Sequence, residues 1–439
     1  MFFENEIFQN NKRMIKKVLR QANQSEYYRS LFEKRKIYVE EIDTYEDFLK
    51  IPTLDKNTYA LHKYDMIVDK KKRDSINQEI HDISDIQERR KVFEKNGIYL
   101  KVTSGSTGIP LEVLKDKKDL LQEYIGINYA RKKILGNLPQ GKYVWIWPAN
   151  KKIRDYFYED GNVEIYQDSK YGFKYMMPEY SPESFQKLSH FILDNSISWI
   201  TAPPSMLYFF AQYVKQHEIS INFEYIECHS EKLFEWQAEL IERVFGSHPV
   251  NVYSSNEVQF MAITDKNGKM NIIEKNVFLE LLEDEQGIRH VYATSLAATE
   301  IPIIRYELGD SAHWDSMPSD DQEKKYAIVL NGYRCNDYVL TRIGKKYEPF
   351  IISDLMILLN DSFKLEIHEY VVKQNAYSDF TIYFEDKLFK TINEKDSVCH
   401  YIKEYFENFI GEEVVISYKD ILNIKKEIGT NKYKYFIGI

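Results

Sequence analysis

Between residues 120 and 260, helical patterns alternate with short apolar strands, and this alternation limits the possible folds more than any other feature. Val144-Trp145-Ile146-Trp147, Trp199-Ile200 and Val250-Asn251-Val252-Tyr253 are such strands. Strands separated by helices build α/β layers around a mostly parallel sheet. The flanks read differently. Residues 1 to about 95 are mainly helical, with Ile15, Val18, Leu19 and Ala22 at helical spacing and Phe48 to Pro52 closing another helix. Ile98 to Thr103 and Leu111 to Leu114 read as strands around a loop of small residues. Residues 276–340 are strand-rich, and the segment after about 337 mixes strands with helices over a length sufficient for a small domain. A chain of 439 residues exceeds what one core usually supports. The expected division is 1–336, with 1–95 as a helical lead-in, and 337–439.

Charge and cysteine usage exclude several classes. The formal charge of −9 argues against nucleic acid or an anionic membrane as partner. Lys70-Lys71-Lys72-Arg73 reads as a solvated loop or helix face. Cys228, Cys335 and Cys399 are far apart and form neither a disulfide framework nor a zinc cage. The acidic start lacks the apolar run of a signal peptide, and no apolar stretch reaches membrane-spanning length, so the expected location is cytoplasmic.

The loop between the two strands is Thr103-Ser104-Gly105-Ser106-Thr107-Gly108-Ile109-Pro110. Glycine is scarce, 17 in all, against a usual share of ~7%. Two glycines three apart let a ligand approach closely, and successive N–H groups and four hydroxyls suit phosphate oxygens. No GKS or GKT follows, so this is not a Walker A loop. A hairpin turn of small residues is the competing reading.

This loop resembles the Ser/Thr-Ser-Gly-Ser/Thr-Thr-Gly-x-Pro phosphate loop of adenylate-forming enzymes, especially the phenylacetate–CoA ligase branch with its capsule-biosynthesis relatives. Tyr27 to Phe32 and Phe48 to Lys56 match that branch's lead-in, and Leu111 stands where many members carry lysine. Tyr253-Ser254-Ser255-Asn256-Glu257 resembles Tyr-Gly-x-Ser/Thr-Glu, with Ser254 for glycine and Asn256 for Ser/Thr. Ser230-Glu231, after His229, matches a Gly-Ala-Glu-like turn, and Arg305-Tyr306-Glu307-Leu308-Gly309-Asp310 matches Arg-Tyr-x-x-Gly-Asp. Gly332 to Tyr338 is similar to Gly-Arg-x-Asp-Asp, and Gly429 to Ile437 to the branch's Ser-Gly-Lys-Phe-Arg ending. Cys228-His229 does not read as a metal or nucleophile pair, because neighbours on a strand face opposite ways.

The resemblance implies a large layered adenylate-forming domain with mostly parallel sheets and a small mobile α+β C-terminal domain. It implies ATP with Mg2+ at Glu257, and adenine packing on Tyr253. Nucleotide contacts fall on Thr103 to Gly108, Ser230, Glu231, Ser254, Asp310 and Arg334, with Asn256 donating to a phosphate. Asp337 is then the hinge and Lys432 the mobile catalytic ammonium, with Lys434 secondary. The acid pocket is expected between the 120–150 helix, the 199–210 region and the Tyr253 loop, with Tyr124, Trp147 and Phe260 as lining candidates. The resemblance further implies that a small carboxylic acid, aryl or other, is activated as its adenylate and passed to the thiol of coenzyme A. A carrier-protein thiol, an amine or a hydroxyl are alternative acceptors, a homodimer is an open option, and a non-catalytic nucleotide-binding relative is the rival reading.

Overall fold

The computed structural model describes residues 2–81, 85–102, 111–148, 163–177, 181–285, 287–315, 326–334, 339–343, 346–347, 391–425 and 436–438, with shorter pieces at 83 and between 352 and 389. The loop 103–110, the hinge candidate Asp337 and the terminal stretch holding Asn431, Lys432 and Lys434 lie outside these residues, as does the side chain of Arg334. By contacts the chain divides into two units, Met1–Leu308 with Ala312–Val329, and Gly309–Ser311 with Leu330–Ile439.

The first unit opens with six helices: α1 (Phe2–Ala22), α2 (Glu26–Arg35), α3 (Tyr45–Phe48), α4 (Lys56–His62), α5 (Lys70–Ile80) and α6 (Ile86–Lys95). Local sequence signals set their starts. Ser25, Thr44, Asp55, Asp69 and Asp85 each accept hydrogen bonds from the first turn that follows. On α1, Ile7, Phe8, Ile15, Val18, Leu19 and Ala22 are completely buried, as helical spacing requires of one face. The basic run at the start of α5 is not wholly solvated. Lys72 pairs with Asp116 at 2.6 Å, and Arg73 is buried with its guanidinium 3.3 Å from Glu26.

A hairpin of β1 (Ile98–Val102) and β2 (Glu112–Asp116) brackets the small-residue loop. Helix α7 (Lys117–Leu135) follows. The expected helix over 120–150 is therefore corrected: it stops at Gly136, φ +82, a conformation that glycine adopts without a Cβ penalty. From there the chain enters β3 (Lys142–Pro148), followed by β4 (Ile165–Gln167), β5 (Gly172–Met177), β6 (Ile197–Ala202), β7 (Tyr225–His229) and β8 (Val250–Tyr253). Next come β9 (Ala262–Thr264), β10 (Met270–Ile272), β11 (Val277–Glu283), β12 (Arg289–Ser295), β13 (Tyr306–Trp314) and β14 (Ala327–Arg334). One twelve-stranded sheet has the order β11-β12-β13-β14-β10-β9-β8-β7-β6-β3-β5-β4. Its block β5-β3-β6-β7-β8 is parallel. Helices Pro182–Asn195, Pro204–Gln216 and Glu235–Phe245 serve as its crossovers, burying Leu188, Phe210, Ile241 and Phe245 against Val144, Ile200 and Ile226.

In the second unit, β15 (Val339–Leu340) and β16 (Lys346–Tyr347) pair. β17 (Val371–Ala376), β18 (Asp379–Phe384), β19 (Val415–Asp420) and β20 (Phe436–Ile437) form a sheet of order β19-β18-β17-β20. Helix Ile392–Ile410 buries Val398, Ile402, Phe406 and Ile410 in the same cluster as Val372, Phe380 and Ile382. Among the described residues no helix is long and apolar enough to cross a membrane.

Candidate functional site

In an open α/β sheet the carboxyl ends of parallel strands form the ligand crevice. Here β3, β6, β7 and β8 end at Pro148, Ala202, His229 and Tyr253. Their parallel register places Trp147, the Pro203-Pro204-Ser205 turn, Ser230-Glu231 and the Tyr253–Phe260 loop along one edge. Four segments read separately in the sequence thus meet at a single rim.

The Tyr253–Phe260 loop is built by its own small polar residues. Ser255 N–H donates to Val258 O at 3.1 Å, and Val258 N–H returns to Ser255 Oγ at 2.9 Å. Ser254 Oγ accepts from Phe260 N–H at 3.2 Å, and Met261 N–H closes onto Tyr253 O at 2.8 Å. Ser254 does not have a positive φ, so serine in place of glycine costs no backbone strain and contributes a closing hydrogen bond. Asn256 is half-buried at the tip. Glu257, 9% exposed, accepts the Tyr306 hydroxyl at Oε1, 3.0 Å away. Tyr306 is the second residue of the Arg305–Asp310 segment, so two separated motifs converge on one carboxylate. Asp310 is half-buried four residues further along β13.

Arg305 supports the fold. Buried and at φ +52, it pairs with Glu280 at 3.0 Å and donates to Leu49 O and Ile51 O, while Leu54 N–H donates to Arg305 O at 2.9 Å. Through these bonds the lead-in Phe48–Leu54 is fastened to the strand carrying Tyr306, which a helix reading of the N-terminus did not foresee.

Behind the loop, α7 supplies contacts that sequence spacing concealed. Lys115 and Glu123, both fully buried, pair at 2.7 Å, and Glu123 Oε1 lies 3.5 Å from Gln259 N. Asn276 Nδ2 donates to Glu123 O at 2.9 Å and Phe260 O at 3.1 Å, clamping helix to loop. Asp119 accepts from Thr299, Glu300 and Ile301 N–H at 2.8, 3.0 and 3.1 Å. Its burial nevertheless pushes the carboxyl up to about 6. Arg131 forms a two-pronged pair with Glu227 at 2.8 and 2.7 Å, and Tyr225 donates to the same carboxylate at 2.7 Å.

At the end of β7 the alternation holds. Cys228 is in the core, where burial pushes its thiol well above its ordinary value, which makes it a poor nucleophile. His229 points the other way. Trp145 Nε1–H donates to His229 Nε2 at 2.9 Å, His229 Nδ1 lies 2.8 Å from Ser230 Oγ, and Trp147 stacks on the imidazole at 5.7 Å and 11°. Glu231 Oε2 accepts from Ser205 N–H at 3.1 Å, at the start of helix Pro204–Gln216. This capping bond was not legible as a role for Glu231. Of the pocket candidates, Tyr124 and Phe260 meet with ring centroids 5.2 Å apart, and Trp147 joins His229. Among the described residues no three His, Cys, Asp or Glu side chains converge on a metal position. Magnesium keeps waters and substrate phosphates as ligands, so the buried carboxylate of Glu257 fits it without a protein-only cage.

No protein-family profile matches the chain. Protein CapK of Staphylococcus aureus is 21% identical over 270 residues, 57% of this chain and 56% of CapK, so the match spans little more than half of that protein. Among solved structures, 2-hydroxyisobutyryl-CoA ligase in the postadenylation state with 2-HIB-AMP superposes with TM-score 0.66 at 14% identity, covering 97% of this chain and 88% of the ligase. An acyl acid amido synthetase in complex with 2,4-DB gives TM-score 0.61 at 14% identity, covering 99% and 92%. The chain has the adenylate-forming ligase fold.

Proposed function

We propose that this protein uses ATP and Mg2+ to activate a small carboxylic acid as its acyl-adenylate and then passes the acyl group to the thiol of coenzyme A. The observation that carries this reading is the Tyr306–Glu257 hydrogen bond, which joins the Tyr253–Glu257 loop to the Arg305–Asp310 segment at the carboxyl edge of the parallel strands. The fold shared with a CoA ligase holding an acyl-adenylate supports it.

The chemistry asks little of the side chains. Carboxylic acids titrate near ~4, so the substrate is already a nucleophilic anion at neutral pH. It attacks the α-phosphorus, and pyrophosphate leaves. What remains is alignment and charge compensation. Glu257 offers the carboxylate for magnesium, which neutralises phosphate charge when bound. In this reading Thr103 to Gly108, Ser230, Glu231, Tyr253, Ser254, Asn256, Asp310 and Arg334 hold the nucleotide, Lys432 docks on the α-phosphate, and Asp337 is the hinge. A panel of carboxylic acids assayed for pyrophosphate release, with and without coenzyme A, tests the proposal. Acid-dependent release without coenzyme A and a thioester product with it are expected. Release that no acid stimulates overturns the reading, and an amide or carrier-bound product reassigns the acceptor.

A further inference from the structure

Hydrogen bonds at the end of β7 run in one direction. An indole N–H only donates, so His229 Nε2, 2.9 Å from Trp145 Nε1, must hold a lone pair. A neutral imidazole with a lone pair on Nε2 carries its proton on Nδ1. That proton points at Ser230 Oγ, 2.8 Å away, so the serine oxygen is an acceptor in this contact. Its own O–H then remains to be donated, and among the described residues no acceptor takes it. Ser230 is half-buried at φ +70, a left-handed backbone that glycine adopts more easily. It sits beside the Tyr253 loop, because His229 pairs in register with Val252. Trp147 stacked on His229, and Lys174 at 5.9 Å over the Trp145 ring, hold both rings in orientation.

We propose that Trp145, His229 and Ser230 form a one-way donor chain whose terminal hydroxyl donates to an acceptor atom of the bound acyl-adenylate. The site therefore selects a ligand that presents a lone pair at this point and disfavours one that presents only N–H or O–H. This rests on the acid-activating reading for the identity of the ligand, and the direction of the chain rests on geometry alone. Trp145 and His229 are positioning residues, and Ser230 makes the contact.

Imidazole 15N NMR of the whole protein reads the tautomer without any activity. His229 is expected in the Nδ1–H form, and in Trp145→Phe, where only the indole donor is lost, a mixture of tautomers is expected. The functional arms are AMP affinity by calorimetry and KM for an acid that turns over in the pyrophosphate assay. Ser230→Ala is expected to weaken one of them roughly three- to tenfold, the size of one hydrogen bond. Trp145→Phe is expected to weaken the same arm, and the double variant to be no worse than Ser230→Ala. Loss confined to AMP assigns the acceptor to the nucleotide, and loss confined to the acid assigns it to the acyl part. An Nε2–H tautomer in the wild type, unchanged binding in both arms, or additive losses overturn the proposal. If no acid turns over, the tautomer and AMP arms still decide it, so its failure is distinguishable from failure of the acid-activating reading.

Discussion

Tyr306 donates its hydroxyl to Glu257 Oε1 at 3.0 Å, across 49 residues of chain. Tyr306 is itself buried against Tyr59 of the lead-in, with rings 6.1 Å apart, so two other parts of the sequence bear on the carboxylate, Tyr306 directly and Tyr59 through it. Glu257→Gln keeps an acceptor for Tyr306 but removes the charge. It is expected to slow pyrophosphate release on the order of 10²-fold, as loss of a preorganised electrostatic group does. Its melting temperature without nucleotide should stay near wild type, and equal activity would remove Glu257 from the site.

Gly126 lies on α7 where a Cβ would collide with the amide of Asn276. Asn276 is the clamp between Glu123 O and Phe260 O. Gly126→Ala should therefore destabilise the protein by about 1–3 kcal/mol, the usual cost of overpacking. Gly126→Ala combined with Asn276→Ala should be no less stable than Asn276→Ala alone, because the collision is gone. Chemical denaturation of the three variants checks this, and additive losses would contradict it.

Burial lowers Lys101 from 10.5 to about 8, with Lys115 and Lys174 adding to the effect and Glu123 opposing it. Between these values the unfolded chain binds more protons than the folded one, so the wild type gains stability as pH rises from 8 to 10.5. Lys101→Met lacks this term. Its stability relative to wild type should be greatest below pH 8 and should shrink up to pH 10.5. A difference that does not change with pH would show that Lys101 remains solvated.

By the resemblance Lys432 is the mobile catalytic ammonium of the proposed mechanism, and its test separates half-reactions. Lys432→Ala should slow acyl-adenylate formation from acid and ATP while sparing thioester formation from synthetic adenylate and coenzyme A. Lys434→Ala is the neighbouring control. Equal loss of both half-reactions by Lys432→Ala would make the residue structural.

The fold was legible where local chemistry repeats. The helical spacing of Ile15, Val18, Leu19 and Ala22, and the apolar strands at 144–147, 199–200 and 250–253, declare themselves within a few residues. The motifs of the candidate site were legible separately, because each rests on a short run. What joins them was not. The Lys115–Glu123 pair spans a strand-to-helix junction, Arg305–Glu280 crosses between elements, and Asp119 reaches backbone 180 residues away. Such pairs have no sequence period. The partner of His229, Trp145, lies on another strand 84 residues earlier, so the sequence carries no local sign of their bond.

The most direct test of acid activation follows oxygen. Acid labelled with 18O in its carboxylate is incubated with the protein, ATP, Mg2+ and coenzyme A, and the nucleotide product is analysed by mass spectrometry. If the carboxylate attacks the α-phosphorus, one labelled oxygen leaves with the phosphoryl group of AMP when the thiol takes the acyl group. AMP carrying a single 18O is the predicted result. Unlabelled AMP, or ADP with the label in inorganic phosphate, would contradict it.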